Sequence, residues 1–133
     1  MLAVKLRHLD GFLRARRELA AYYSRELAGM TGVELPAVPK GMASSHSVFT
    51  LRVRDGRRDA LKRSLAEHGI ESAIHYPKPL HLQPALARFR RAALPVAERA
   101  AREVLSLPLY PELGEERAAY VVARVREFFA GRP

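Results

Sequence analysis

The sequence predicts an α+β fold: a small sheet of about three strands, helices packed on one face, and a long N-terminal helix. Three observations lead there. Apolar residues recur at three- and four-residue steps over residues 2–28 and again over residues 115–130. Between them, short runs rich in β-branched and aromatic residues alternate with further helical stretches. Connections are short except at residues 29–45 and around a cluster of prolines. At 133 residues and 48% hydrophobic, the chain suits one domain, 1–133, with material for a real core.

The first helix is expected over 2–28, on the stripe Leu2, Leu6, Leu9, Leu13, Ala20, Tyr23, Leu27. Gly11 is its weak point, and Gly29 and Gly32 stop it. Arg16 interrupts the heptads, so a globular stripe is preferred to a coiled coil. The α/β body, 29–133, begins with a loop that carries Pro36, Pro39 and Gly41, in which Val33 to Leu35 can form an edge. Ser47 to Val53 is the clearest strand, followed by a turn at Asp55-Gly56. A helix from Arg58 to His68 turns Leu61, Leu65 and Ala66 inward. Gly69 caps it and Ile70 supplies the apolar contact beyond the cap. A strand over 72–76 enters the proline segment. Pro84 opens a short helical turn, Ala85 to Arg88, and residues 89–94 read as irregular. Pro95 fits the first turn of a helix through Val96, Ala100 and Val104. Residues 105–111, broken by Pro108 and Pro111, read as an edge strand. Glu115 and Glu116 open the last helix, whose stripe is Ala118, Val121, Val122, Val125, Phe128 and Phe129, and Gly131 ends it.

His75-Tyr76-Pro77-Lys78-Pro79-Leu80-His81-Leu82-Gln83-Pro84 is the most distinctive stretch. It holds two of the five histidines and three of the nine prolines. Proline fixes its own φ and pushes the preceding residue toward extended geometry. The segment should therefore be stiff and present Tyr76, His81 and Gln83 in set directions. The plain alternative is a surface connection with two solvated histidines. A metal shared by His75 and His81 is disfavoured, because three prolines and no carboxylate stand nearby. His8 and His68 fall on helical surfaces, and His46 stands at a strand entrance among serines.

Other chemistry is missing. There is no cysteine, hence no disulfide, thiol nucleophile or thiolate site, which fits a reducing, cytoplasmic setting. No segment resembles a signal peptide or a membrane span. No phosphate-binding glycine loop, His-Glu-x-x-His or Gly-x-Ser-x-Gly occurs. Lys5, Lys40, Lys62 and Lys78 lie in none of the apolar surroundings that prepare a lysine for Schiff-base work. The formal charge is +9, from arginine clusters at 14–17, 52–58 and 88–91. That invites a polyanion, but no aromatic residues interleave as a stacking platform, so nucleic acid is disfavoured.

Several motifs follow one another in a set order. They are Arg58-Asp59-x-Leu61-x-x-x-Leu65 with Gly69-Ile70, then His75-Tyr76-Pro77-x-Pro79-Leu80-His81-x-Gln83-Pro84-Ala85, then Leu94-Pro95-x-Ala97-Glu98, and Glu103-x-Leu105-Ser106-Leu107-Pro108-x-Tyr110-Pro111. Together they resemble the C-terminal, small domain of the nucleotide-sugar aminotransferases of the DegT/DnrJ/StrS type, pyridoxal-phosphate enzymes of fold type I. Leu6-x-x-Leu9-Asp10, Arg14-x-Arg16-Arg17, Ala20 and Tyr23 resemble the long helix that connects their two domains. The resemblance covers nearly the whole chain. It implies a parent enzyme that transfers an amino group to a keto-sugar nucleotide. It also implies a larger cofactor-binding domain with the Schiff-base lysine, the aspartate on the pyridine nitrogen and the phosphate cradle. None of these has a counterpart here, so the chain reads as a severed small domain or a remnant of a shortened frame, inactive alone and with no cofactor of its own. Its expected partners are the missing large domain or a second copy of itself. By resemblance, the substrate-binding candidates are His81 and Tyr76, with His75 behind them. The competing reading is an independent basic α+β module that binds nucleic acid or a partner protein.

Overall fold

The computed structural model describes residues 2–89 and 92–131. Three antiparallel strands form one sheet in the order β1-β2-β3, with β1 at Val33–Glu34, β2 at Phe49–Val53 and β3 at Val104–Leu107. Val33 faces Val53, Phe49 faces Leu107, Thr50 faces Ser106 and Leu51 faces Leu105. Alternation sorts β2 cleanly. Phe49, Leu51 and Val53 are fully buried, while Thr50 and Arg52 take the other face.

Helices α2 (Leu9–Glu26), α3 (Arg58–Glu67) and α5 (Gly114–Ala130) supply the rest of the core. Leu19, Ala20, Tyr23 and Leu27 meet Leu61 and Leu65 and the α5 row Ala118, Val121, Val122, Val125, all in one buried cluster with the inner residues of β2 and β3. Tyr23 is completely buried. Its ring centroid lies 5.1 Å from that of Phe49, and its hydroxyl donates to the Pro108 carbonyl at 2.9 Å. Burial raises the Tyr23 phenol well above its ordinary value, and the nearby Tyr110 and Tyr22 add to this.

Two expectations need correction. The first helix is not continuous. Residues 2–6 form a separate turn, α1 (Leu2–Leu6), and the break falls at Arg7-His8, ahead of Gly11. There the backbone tightens into i→i+3 bonds, with Arg7 N–H on Val4 O and His8 N–H on Lys5 O. α1 buries nothing, so no packing keeps it in line with α2. The strand over 72–76 shrinks to a single bridge, Ala73 with Ser106, closed by N···O distances of 3.1 and 2.7 Å. The ladder cannot extend. On one side Pro108 has no N–H to give, and on the other β3 emerges directly from α4 (Pro95–Glu103).

Other boundaries move by one to a few residues. The strand expected from Ser47 starts at Phe49, and β3 ends at Leu107, still at the edge of the sheet. Gly69, at φ +71°, closes α3 as anticipated. Its N–H reaches Ala66 O at 3.0 Å, and Ile70 N–H reaches Leu65 O at 2.9 Å. Of the expected irregular stretch 89–94, residues 90 and 91 lie outside the described ones; with them goes most of the cluster Arg88, Arg90, Arg91.

Candidate functional site

After the Ala73 bridge the chain leaves the sheet and wraps the N-terminal half of α4. Prolines 77, 79 and 84 keep it out of regular structure, and it folds into two 3₁₀ turns, Leu80–Leu82 and Pro84–Phe89. This strap and α4 enclose an open groove of about 610 Å³. The strap wall carries His75, Tyr76, Lys78, Leu80, His81 and Phe89. The α4 wall is Leu94, Ala97, Ala100, Ala101 and Val104. The small alanines of α4 make room, and the lining is mostly apolar with a few polar groups, as ligand sites are built.

All three residues singled out in the sequence line this groove, in three different states. Tyr76 stands free, 74% exposed, with its ring edge-on to His75 at a centroid distance of 5.7 Å. His75 is tethered. Its Nδ1 lies 3.3 Å from Ser106 Oγ, which lies 2.8 Å from Thr50 Oγ1. His81 is clasped. Its Nε2 lies 3.0 Å from Glu98 Oε1, and that same oxygen accepts the Leu94 N–H at 3.1 Å. The hydrogen bond from His81, then that from Leu94, hold the Glu98 carboxyl below the usual carboxylate range. Gln83 turns back on the strap instead, donating to Lys78 O at 3.1 Å.

Glu98, Ser106 and Thr50 went without a role in the sequence reading. Glu98 had a weak signal: Pro95 marks a helix start, and a carboxylate in the first turn beyond it suits the exposed amides there. Ser106 and Thr50 had none, because only the sheet register sets them side by side. The remaining histidines stand apart from the groove. His68 bonds Ser64 O within α3 at 2.8 Å, and His8 begins α2. His46, at φ 45°, gives its N–H to Ser44 Oγ. Burial, then the charge of Arg17, lowers its imidazole value. Among the described residues no three His, Cys, Asp or Glu side chains gather as a metal site.

Pyridoxal phosphate finds no seat among the described residues. Lys5, Lys40 and Lys78 are exposed, and Lys62 is half-buried on α3. Among the described residues no helix opens on a glycine-rich turn; the residues ahead of the longer ones are His8, Arg57, Leu94 and Leu113.

The arrangement of three antiparallel strands, a strap and flanking helices is that of the sugar aminotransferases. The crystal structure of DesV from S. venezuelae, in complex with a ketimine intermediate, superposes with a TM-score of 0.93 at 40% identity, covering 99% of this chain and 35% of that one. The aminotransferase TlmJ from Streptoalloteichus hindustanus gives 0.89 at 37%, covering 96% of this chain and 34% of its own. In sequence, residues 1–126 match the DegT/DnrJ/EryC1/StrS aminotransferase family, and the chain belongs to that family. It is 43% identical over 132 residues to a pleiotropic regulatory protein of Geobacillus stearothermophilus, covering 97% of this chain and 35% of the relative. It is 41% identical over 130 residues to the dTDP-3-amino-3,4,6-trideoxy-alpha-D-glucose transaminase of Streptomyces venezuelae, covering 96% and 34%. The chain thus spans about a third of the length of the relatives it matches.

Proposed function

We propose that this chain is the small domain of a pyridoxal-phosphate-dependent nucleotide-sugar aminotransferase. In this reading it supplies one wall of the substrate site and has no transferase activity alone. The observation that carries it is the match over residues 1–126, joined to a strap groove in which Tyr76, His75 and His81 converge. The cofactor and its lysine come from a larger domain, because no lysine described here sits in an apolar enclosure. Tyr76 and His81 face the sugar nucleotide, with His75 behind them. Tyr76 is free to move onto a ligand, while His81 is held by Glu98 and acts from a set place.

The exposed apolar face of α1 and the start of α2 (Leu2, Leu6, Leu9) is the surface for that larger domain, or for a second copy when the domain is absent. Nucleic-acid binding finds less support in the arginines. Arg52 pairs with Glu34 and Glu103, Arg54 with Glu34, and Arg16 donates to three backbone carbonyls.

A chimera tests the reading. Residues 1–126 replace the matching part of the S. venezuelae transaminase, and amino transfer to its keto-sugar nucleotide is measured. Turnover should return in the chimera and be missing from the chain alone, and Tyr76→Ala and His81→Ala should each lower it at least tenfold with the melting temperature held. A chimera that folds and loads cofactor yet turns nothing over overturns the assignment.

A further inference from the structure

Thr50 and Ser106 face each other across β2 and β3 with both side chains on the sheet face away from the core. Ser106 is 4% exposed, covered by the segment that its own backbone anchors through Ala73. His75, two residues beyond Ala73, leans back on the same spot. Three groups therefore form a chain, Thr50 Oγ1 to Ser106 Oγ to His75 Nδ1, at 2.8 and 3.3 Å.

Each hydroxyl owns one proton, so a neutral imidazole leaves three ways to run the chain; the one in which Nδ1–H and Thr50 both donate to Ser106 strands the hydroxyl proton of a buried residue and is set aside. If His75 Nδ1–H donates to Ser106, Ser106 donates to Thr50, and the Thr50 proton has no acceptor among the described residues. If Thr50 donates to Ser106, Ser106 donates to Nδ1, and every hydroxyl proton is used. Each of these two directions leaves one donor without a protein partner among the described residues, the Thr50 hydroxyl in the first and Nε2–H in the second; an unpaired donor costs more where it is sheltered, and Thr50 is half-buried while His75 is exposed to water. The second direction wins, and it puts the imidazole proton on Nε2, which has no protein partner among the described residues.

We propose that the Thr50–Ser106 hydroxyl pair fixes His75 as an Nε2–H donor at the groove. Its ligand atom is then an acceptor oxygen of the substrate (a hydroxyl, carbonyl or phosphoryl oxygen) and not a group that must give up a proton. Thr50 and Ser106 are positioning residues and touch no substrate. The inference rests on reading the groove as a substrate site, but its chemistry is decided without one.

The experiment is nitrogen-15 NMR of the imidazole rings in the labelled chain. It is run about two pH units above the ordinary histidine value of about 6.5. His75 should show a protonated Nε2 and a bare Nδ1, with no second tautomer. Thr50→Val should release Ser106 to accept as well as donate and give a mixture of tautomers. Thr50→Ser should restore the single form. A wild-type proton on Nδ1, or a mixture in the wild type, overturns the inference whether or not the variants fold. So does a single tautomer that Thr50→Val leaves unchanged. No sugar, cofactor or second domain is needed. A wrong tautomer therefore leaves the domain reading standing, and an inactive chimera leaves the tautomer result standing.

Discussion

Glu98 shows how much one atom of this site does. Its Oε1 takes the Nε2 of His81 and the backbone N–H of Leu94, so it joins the strap to the first turn of α4. Among the described residues this is the side-chain hydrogen bond that ties the 3₁₀ turns to the opposite wall of the groove. The bond from His81 is the first cause of the lowered carboxyl value, the Leu94 N–H the second, with smaller contributions from the charges of His81 and Arg102. A carboxyl whose folded value is depressed contributes stability above its unfolded value, about 4.3, and loses it as the pH falls through the lowered one. Amide-exchange protection across residues 80–89, corrected for intrinsic rates, should therefore drop on acidification below about pH 4. Glu98→Gln keeps an oxygen for Leu94 and should flatten that dependence. Glu98→Ala should lose protection at every pH. Equal profiles for wild type and Gln would make the charge irrelevant and leave the clasp as simple packing.

At the scale of elements, glycines and prolines decide what was legible. The stripe of α5 and the Gly69 cap of α3 depend on neighbours in sequence, and each stands where the sequence put it, while the strand expected over Ser47 to Val53 loses only its first two residues. The strand over 72–76 looked right by its own residues, but a ladder needs a partner's donors, and Pro108 sits on a different stretch of chain. The break after Leu6 escaped notice for a similar reason: periodicity shows a stripe but not whether anything covers it. Likewise the three groove residues were readable from one stiff segment, whereas Thr50, Ser106 and Glu98 arrive from three other elements. Two glycines convert this into numbers. Gly69 at φ +71° has open space where a Cβ would go, so Gly69→Ala should cost only the left-handed strain, about 1–2 kcal/mol. Gly32 at φ +83° would bring its Cβ to 3.1 Å from Phe129 Cε1, so Gly32→Ala adds a clash to the same strain. Urea melts should rank Gly32→Ala as the more damaging change. The reverse order would mean that Phe129 swings aside freely.

Over the whole molecule, an apolar face and a strong positive charge compete. Leu2 is 77% exposed, and Val4 and Leu6 are each 60% exposed. Leu2 and Leu6 border a groove of about 490 Å³ that continues along Phe12, Leu13 and Tyr110. Such a face favours association. The formal charge of +9 opposes it, since like-charged copies repel over a distance that salt shortens to roughly 10 Å at 0.1 M. Self-association through α1 should therefore strengthen as salt is added. Capture of a polyanion by the same arginines runs the other way, because it is driven by counterion release and weakens with salt. One titration separates the two. Light scattering on the chain across increasing salt should show rising mass, while fluorescence anisotropy with a DNA oligomer should show falling affinity that is gone by physiological salt. Leu6→Glu places a charge in the middle of the face and should keep the chain monomeric throughout. It should leave the melting temperature within a degree or two of wild type, because α1 buries no residue. A mass that falls with salt would assign the association to ion pairs. A Leu6→Glu chain that still associates would move the contact away from α1.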